Sequence, residues 1–183
     1  MTEDPDAFNA FEAAGWDRQS AGYDEFFGPI TGRVVAPLLD AAGVDAGSRV
    51  LDVASGPGYV AVHAAARGAT VIGVDVAEAM IALARRLHPE LVFRRGDAEA
   101  LAFDDAAFDA VVANFLLLHL GRPERALGEL ARGVRERRAA RAARVGEARL
   151  GSQAVVAIIR GCSSASPTPT SATPPCGCAP TCR

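Results

Sequence analysis

The sequence predicts a doubly wound α/β domain with a mostly parallel sheet, and three observations support this. Between residues 48 and 113, short apolar segments alternate with segments of helical character. The apolar segments are nearly continuous runs of Val, Ile and Leu, which is typical of parallel strands buried on both faces. The chain has 183 residues, 50% hydrophobic and 22% charged, which suits one domain with its own core.

Residues 1–45 are expected to form an N-terminal helical cap. Residues 6–28 mix aromatic and charged side chains and predict one or two loosely packed helices that end near Gly28-Pro29. Thr31 is expected to cap a further helix that runs to about Ala42. The acidic N-terminus lacks the apolar stretch of a secretory signal, and no apolar run has the roughly 18 residues that a membrane span needs. We therefore expect a cytoplasmic protein.

Residues 46–134 are predicted to form the α/β core, in which strands alternate with helices. A right-handed crossover between successive parallel strands places helices on both faces of the sheet. Gly56-Pro57-Gly58 makes the first strand-to-helix turn, and Gly68 and Pro89 stop the next two helices. The predicted strands are Ser48–Val53, Thr70–Val74, Leu91–Arg94 and Phe108–Ala113, and the predicted helices are Tyr59–Arg67, Glu78–Leu87 and Glu124–Arg132.

Glycines and carboxylates stand at the carboxyl ends of the predicted strands, the edge at which open α/β sheets bind ligands. Gly56 and Gly58 let the backbone turn sharply and approach a ligand closely. Asp75 ends the second strand, where its carboxylate can accept hydrogen bonds from ribose hydroxyls. Asp97 follows the third strand and can accept a hydrogen bond from an exocyclic amine. The pattern predicts a nucleotide-type ligand.

Two ligand classes fit this pattern. Gly56-x-Gly58-x-x-Ala61, with Asp75 about 20 residues further on, also satisfies the dinucleotide fingerprint, so an NAD(P)-dependent oxidoreductase is the alternative. Asp52, four residues before Gly56, would repel a pyrophosphate and attract a cationic amine. S-adenosylmethionine carries an α-amino group, a ribose and an adenine, which match Asp52, Asp75 and Asp97 in order. No catalytic pair for a nicotinamide is visible.

Four segments in order resemble the motifs of class I S-adenosylmethionine-dependent methyltransferases. The resemblance covers roughly residues 16–133, and the most similar branch is the type 11 (UbiE-like) family. It implies a Rossmann-like methyltransferase fold, S-adenosyl-L-methionine as cofactor and a small molecule as methyl acceptor. The four segments are Val50–Gly58, Gly73–Met80, Gly96–Phe103 and Phe108–Asn114.

The resemblance also implies a role for each matching residue. The glycine turn would line the methionine end of the cofactor, with Asp52 near the amino group and the backbone of Asn114 beside the methionyl part. Asp75 would hold the ribose hydroxyls, and Asp97 would meet the adenine amine. Tyr23 would close over the cofactor, unless it is a core aromatic residue. The complete predicted cofactor-binding set is Tyr23, Asp52, Ala54, Gly56, Gly58, Asp75, Val76, Met80, Asp97, Ala98 and Asn114.

Methyl transfer needs mainly a positioned acceptor and a dry site, with a general base only where the acceptor must lose a proton. His119, after the fourth strand, is the candidate for that base, with a structural role as the alternative. No metal site, nucleic-acid partner or membrane partner is expected.

The last third of the sequence differs in composition from the rest. Residues 1–121 carry 18 acidic residues and 8 Arg, whereas residues 122–183 carry 4 acidic residues and 11 Arg. The chain has no Lys, its last aromatic residue is Phe115, and all four Cys lie in the last 22 residues. Residues 135–183 are predicted to be an Arg/Ala-rich and then Ser/Pro/Cys-rich tail, largely disordered, in which Ala154–Ile159 can form one strand.

Three interpretations of this tail compete. An Arg-rich helix at 135–144 could bind nucleic acid or lipid, but it lacks aromatic residues and an apolar face. The four Cys lack paired metal-ligand spacing. We favour a shift of reading frame near Val134, which leaves the C-terminal strands missing or degenerate and turnover impaired. A non-catalytic, cofactor-binding remnant is the corresponding alternative, and translation of the other two frames would test the shift.

Overall fold

The computed structural model describes residues 4–135, 146–147 and 156–160. Short 3₁₀ turns at Ser20–Gly22, Gly32–Val34 and Leu117–His119 connect some of its elements. The helices are α1 (Pro5–Gln19), α2 (Tyr23–Phe26), α3 (Gly28–Thr31), α4 (Val35–Ala41), α5 (Tyr59–Ala66), α6 (Glu78–Leu87) and α7 (Pro123–Gly133). The strands are β1 (Arg49–Val53), β2 (Thr70–Asp75), β3 (Val92–Arg95), β4 (Ala110–Asn114), β5 (Gly146–Glu147) and β6 (Val156–Arg160).

The strands form one sheet in the order β3-β2-β1-β4-β6-β5. The pairs β1–β2, β1–β4 and β2–β3 are parallel, so the carboxyl ends of four strands meet at one edge. Asp52 lies between Gly73 of β2 and Val112 of β4. This arrangement confirms the predicted α/β class, and each strand of the parallel part lies within two residues of its predicted position.

Two apolar clusters cover the two faces of the sheet, as the doubly wound prediction requires. Neighbouring residues of β1 alternate between them, with Val50 in one cluster and Leu51 in the other. Helices α4, α5 and α6 supply buried residues to the first cluster, for example Leu39 and Ile81. Helix α7 supplies Leu130 to the second. Both faces of the parallel strands are therefore buried.

The N-terminal cap is helical over most of its length, but its boundaries differ from the predicted ones. Gly28-Pro29 does not end the helical segment, because Pro29 occupies the first turn of α3, where its missing N–H costs no hydrogen bond. Thr31 does not cap α4 either. It has helical dihedral angles, and its hydroxyl donates to the carbonyl of Phe27 at 3.0 Å. A Thr in this conformation extends the preceding turn instead of starting a new one.

The sheet continues beyond β4 through antiparallel strands. The strand predicted at Ala154–Ile159 is confirmed as β6, which pairs with β4 and with β5. Within the described residues, β4 therefore has a paired strand on each side. The Arg-rich segment after Arg135, the Cys cluster and the predicted disorder from Gly161 lie outside the described residues, and so does most of the segment affected by the proposed frame shift. Among the described residues, no helix is long and apolar enough to cross a membrane.

Candidate functional site

A cavity of about 660 Å³ opens at the carboxyl ends of β1, β2 and β4, with α1, α2 and α3 forming its outer wall. This volume lies within the range of about 300–1,000 Å³ that is typical of small-molecule sites. His119 lines the cavity, and so do nine of the eleven predicted cofactor-binding residues, while Asp52 and Gly58 do not. The nine are Tyr23, Ala54, Gly56, Asp75, Val76, Met80, Asp97, Ala98 and Asn114.

The turn between β1 and α5 depends on left-handed backbone conformations. Gly56 has φ +51° and Gly58 has φ +98°, and a Cβ at Gly58 would come within 2.8 Å of the Phe93 ring. Ala54 and Phe115, at the ends of β1 and β4, have φ 58° although they are not glycine. Both of these residues line the cavity. Strained backbone of this kind is often found at functional sites.

Asp75 is buried at the end of β2 and holds the glycine turn. Its Oδ2 accepts the backbone N–H of Gly56 at 2.8 Å, and its Oδ1 accepts that of Ala77 at 2.9 Å. Burial raises the pKa of Asp75, and these N–H groups offset part of the rise. An ionised carboxylate has about four lone-pair sites, so about two remain for a ligand in the cavity. This geometry suits a pair of hydroxyl donors.

Asp52, in contrast, does not reach the cavity. Its side chain is completely buried under the first turn of α5, on the face of the sheet that carries Val50. Burial raises the pKa of Asp52 to about 8, an effect that the N–H of Ala61 offsets in part. Neither carboxyl oxygen makes a full hydrogen bond within the described part of the chain. The expected repulsion between an ionised Asp52 and a pyrophosphate therefore does not follow from the structure.

Asp97 and Asn114 bring further hydrogen-bond acceptors to the cavity. Asp97 is exposed, and its Oδ1 accepts the backbone N–H of Glu99 at 2.8 Å. The Nδ2 of Asn114 donates to the carbonyl of Thr31 at 3.3 Å, whereas its buried Oδ1 has no partner among the described residues. The sequence predicted only a backbone role for Asn114. The structure adds a side-chain oxygen that can accept a hydrogen bond from a ligand.

His119 has a partner that the sequence did not reveal. Its Nδ1 lies 2.8 Å from Oε2 of Glu12 in α1, and its ring packs edge to face on Trp16 with ring centroids 5.0 Å apart. All three side chains line the cavity. Because 107 residues separate Glu12 from His119, no local sequence pattern could have paired them.

Aromatic rings form the outer wall of the cavity. Trp16 and Tyr23 each pack on Phe27, with ring centroids 5.6 and 5.4 Å apart. Tyr23 also lies against the glycine turn, since its ring would be 3.9 Å from a Cβ on Gly56. The two predicted roles of Tyr23, closure over a ligand and aromatic packing, are thus compatible. Within the described ranges, no cluster of three His, Cys, Asp or Glu residues is arranged to hold a metal ion.

Comparison with known proteins extends these observations. Residues 51–137 match the family model described as a methyltransferase domain, which confirms the resemblance predicted from the motifs. The demethylmenaquinone methyltransferase of Renibacterium salmoninarum is 40% identical over 95 residues, which cover 52% of this chain and 40% of that protein. The chain thus spans about two-fifths of the length of this curated relative.

Two solved structures share the fold. The crystal structure of the [4+2]-cyclase SpnF has a TM-score of 0.55 and 29% identity, over 57% of this chain and 42% of that one. A protein from Methanococcus maripaludis has a TM-score of 0.58 over 68% of this chain and 59% of its own, and at 18% identity it supports the fold alone. Because one of these neighbours is named as a cyclase, the fold by itself does not fix the reaction.

Proposed function

We propose that this chain binds S-adenosyl-L-methionine and takes part in methyl transfer to a small-molecule acceptor, a proposal supported by the match of residues 51–137 to the methyltransferase-domain model. The observation that carries this proposal is the set of acceptors around one cavity at the carboxyl edge of the sheet. Asp75, Asp97 and the Oδ1 of Asn114 contribute to it. The relative's name, demethylmenaquinone methyltransferase, supports an aromatic small molecule as the acceptor class.

The hydrogen-bond acceptors around the cavity match the hydrogen-bond donors of this cofactor. Ribose offers two hydroxyl donors, which suit the remaining lone pairs of Asp75. The exocyclic amine of adenine suits Asp97, and the buried, unpartnered Oδ1 of Asn114 suits an α-amino group. Met80 is buried and Val76 partly exposed beside Asp75, and together they offer an apolar surface for the base. When bound, the cofactor supplies an activated methyl group on a sulfonium.

The chain's own residues then bind and orient the ligands and exclude water. The turn from Ala54 to Gly58 brings backbone close to the ligand, and Asp75 fixes that turn through the N–H of Gly56. The aromatic wall of Trp16, Tyr23 and Phe27 covers the cavity opposite the sheet edge. An enclosed site of this kind favours transfer by positioning two reactants together. The predicted cytoplasmic location stays a prediction.

Calorimetric titration with S-adenosylhomocysteine tests cofactor binding. We expect micromolar binding to the wild-type chain and a loss of about 10- to 100-fold in affinity for Asp75→Ala, since hydrogen bonds to charged groups contribute about 1.5–3 kcal/mol each. Asp104→Ala is the matched control, because Asp104 is exposed and lies outside the cavity.

A titration with NADH separates the proposal from the oxidoreductase alternative. Binding of S-adenosylhomocysteine alone supports a methyltransferase site. Binding of NADH alone, or of neither ligand by a folded chain, would contradict the proposal. A chain that binds S-adenosylhomocysteine but methylates no acceptor would correspond to the non-catalytic remnant.

A further inference from the structure

We propose that Glu12 and His119 form a catalytic dyad that removes a proton from a hydroxyl group of the acceptor. His119 is the base, and Glu12 is a positioning residue that acts through it. This inference rests on the proposed function, because it assigns the acceptor side of the same cavity. It also defines the acceptor as an aromatic or enolic hydroxyl compound.

The geometry determines which nitrogen of His119 is available. A carboxylate can only accept hydrogen bonds, so the Nδ1 that lies 2.8 Å from Glu12 must carry a proton. In the neutral ring Nε2 is then an acceptor with a free lone pair. The orientation of a histidine by a second group is a recurring arrangement in general-base catalysis.

The surroundings hold this pair in place at the cavity wall. The edge-to-face packing on Trp16 restrains the His119 ring, and the side chains of His119 and Glu12 are 34% and 20% exposed. Half-burial of this kind keeps the pair accessible from the cavity and partly shielded from water. Arg33 is the other basic side chain on the described cavity wall.

The chemistry of the wall favours a flat, unsaturated acceptor. Trp16 borders His119 directly, and Phe27 packs on Trp16 with ring centroids 5.6 Å apart. An aromatic hydroxyl compound can therefore lie against these rings with its O–H towards Nε2. In the proposed step the acceptor O–H bond breaks and an N–H bond forms at Nε2. The electron pair stays on the acceptor, which becomes the nucleophile, and the ring later returns its proton to solvent.

Nitrogen-15 NMR of the histidine rings tests the pair without any ligand. At about pH 8.5, well above the ordinary histidine pKa of about 6.5, we expect His119 to carry its proton on Nδ1. Glu12→Ala is expected to remove this preference. His63 is the internal control, because its Nδ1 lies 2.7 Å from the carbonyl oxygen of Tyr59, outside the cavity. A His119 that carries its proton on Nε2 in the wild-type chain would overturn the proposal.

A coloured phenol tests the proton transfer itself. We would titrate 3-nitrophenol into the complex with S-adenosylhomocysteine at about pH 7.2, where the free phenol is mostly neutral and an imidazole of ordinary pKa is mostly unprotonated, and record the phenolate absorbance. The wild-type chain and His63→Ala are expected to ionise the bound phenol. His119→Ala is expected to lose this signal, and Glu12→Ala to reduce it.

The outcomes separate this inference from the proposed function. Failure to bind S-adenosylhomocysteine would contradict the proposed function, while the NMR experiment would still decide the state of the pair. Normal binding of S-adenosylhomocysteine with no binding of 3-nitrophenol, or with equal ionisation by His119→Ala, would overturn the inference alone. With a methylated phenol as product, His119→Ala should lower kcat by about 10²- to 10⁴-fold and leave KM nearly unchanged, and added imidazole should restore part of kcat.

Discussion

Asp52 and Asp75 lie near the carboxyl ends of neighbouring strands, but only Asp75 reaches the cavity. Asp75 is the last residue of β2 and leaves the sheet towards the glycine turn. Asp52 is one residue inside β1, and strand alternation places its side chain on the same face as Val50, under α5. The motif pattern predicted both residues as ligand contacts. Strand alternation alone does not separate them, because Asp75 is also an even step from the core residue Val71; the difference is that Asp75 ends its strand, whereas Asp52 lies one residue inside its own.

Asp52→Asn is expected to flatten the pH dependence of stability. Because burial raises the pKa of Asp52 from 3.8 to about 8, the folded protein keeps a proton that the unfolded chain loses. The free energy of unfolding of the wild type should therefore fall as the pH rises from about 4 to about 8, by at most about 1.4 kcal/mol per pH unit from this group. Asn is neutral throughout, so the variant should lack this contribution.

Urea unfolding at several pH values between about 4 and 8 measures how the free energy of unfolding of the wild type and of Asp52→Asn depends on pH. Asp104→Asn is the matched control, since Asp104 is exposed and its removal should leave the wild-type slope unchanged. Equal slopes for the wild type and Asp52→Asn would mean that Asp52 is ionised in the folded protein. It would then have to find a partner that the structure does not show.

Helix α1 has no buried residue, and several polar contacts attach it to the core beside the ring packing of Trp16. The amide of Asn9 donates to Oε1 of Glu99 at 2.8 Å, and Asp17 accepts the N–H of Ala79 in the first turn of α6 at 2.8 Å. Glu99 also accepts two hydrogen bonds from Arg122, one from its backbone N–H and one from its guanidinium. Glu99 thus connects α1 to the segment that precedes α7.

Glu99→Gln is expected to destabilise the protein at neutral pH by about 1–3 kcal/mol, because an amide has one acceptor oxygen where the carboxylate has two. Burial works to raise the pKa of Glu99, but the hydrogen bonds from Asn9 and Arg122 outweigh it and hold the pKa below 4.5. This stabilisation is therefore present above pH 4.5 and is lost as the pH falls through the lower, folded-state pKa.

Chemical denaturation of Glu99→Gln and wild type at neutral and acidic pH would measure this difference. We expect the difference in the free energy of unfolding between the two proteins to become smaller at acidic pH. Glu90→Gln, an exposed change on the loop before β3, is the control and should stay close to the wild type at both pH values. If this difference in the free energy of unfolding does not change with pH, the shape of the Glu99 side chain, and not its charge, stabilises the contact.

The elements of the parallel sheet were predictable for a local reason. Runs such as Ala110–Ala113 are apolar on both faces, and Gly58, Gly68 and Pro89 mark where strands and helices change over. The cap was less predictable. Its helices form the outer wall of a cavity and are only partly buried, so their sequences show only a weak helical periodicity of apolar residues. The turns between these helices are also not marked by a helix-breaking residue, since Pro29 lies in the first turn of α3. Residue contacts such as Glu12 with His119 arise only when that wall closes on the sheet edge.

At the scale of the whole molecule, the cavity lies between a well-buried sheet and a less buried helix, α1. The sheet side rests on two buried clusters, whereas α1 contributes Asn9, Glu12 and Trp16 to the cavity wall without a buried residue of its own. Regions with few buried apolar contacts open locally at low free energy. We therefore infer that α1 is among the first described elements to open and that a ligand in the cavity closes it.

Hydrogen exchange with and without S-adenosylhomocysteine tests this coupling. In the free chain, the amides of α1 should exchange faster than those of β1 and β4. At 100 times its dissociation constant the ligand should stabilise the folded state by about 2.7 kcal/mol, and protection should rise most in α1. Asp75→Ala, measured at the same ligand concentration, should show a smaller gain. If α1 of the free chain is as well protected as β1, the polar contacts of Asn9, Glu12 and Asp17 are sufficient to close the cap, and ligand binding fills a cavity that is already formed.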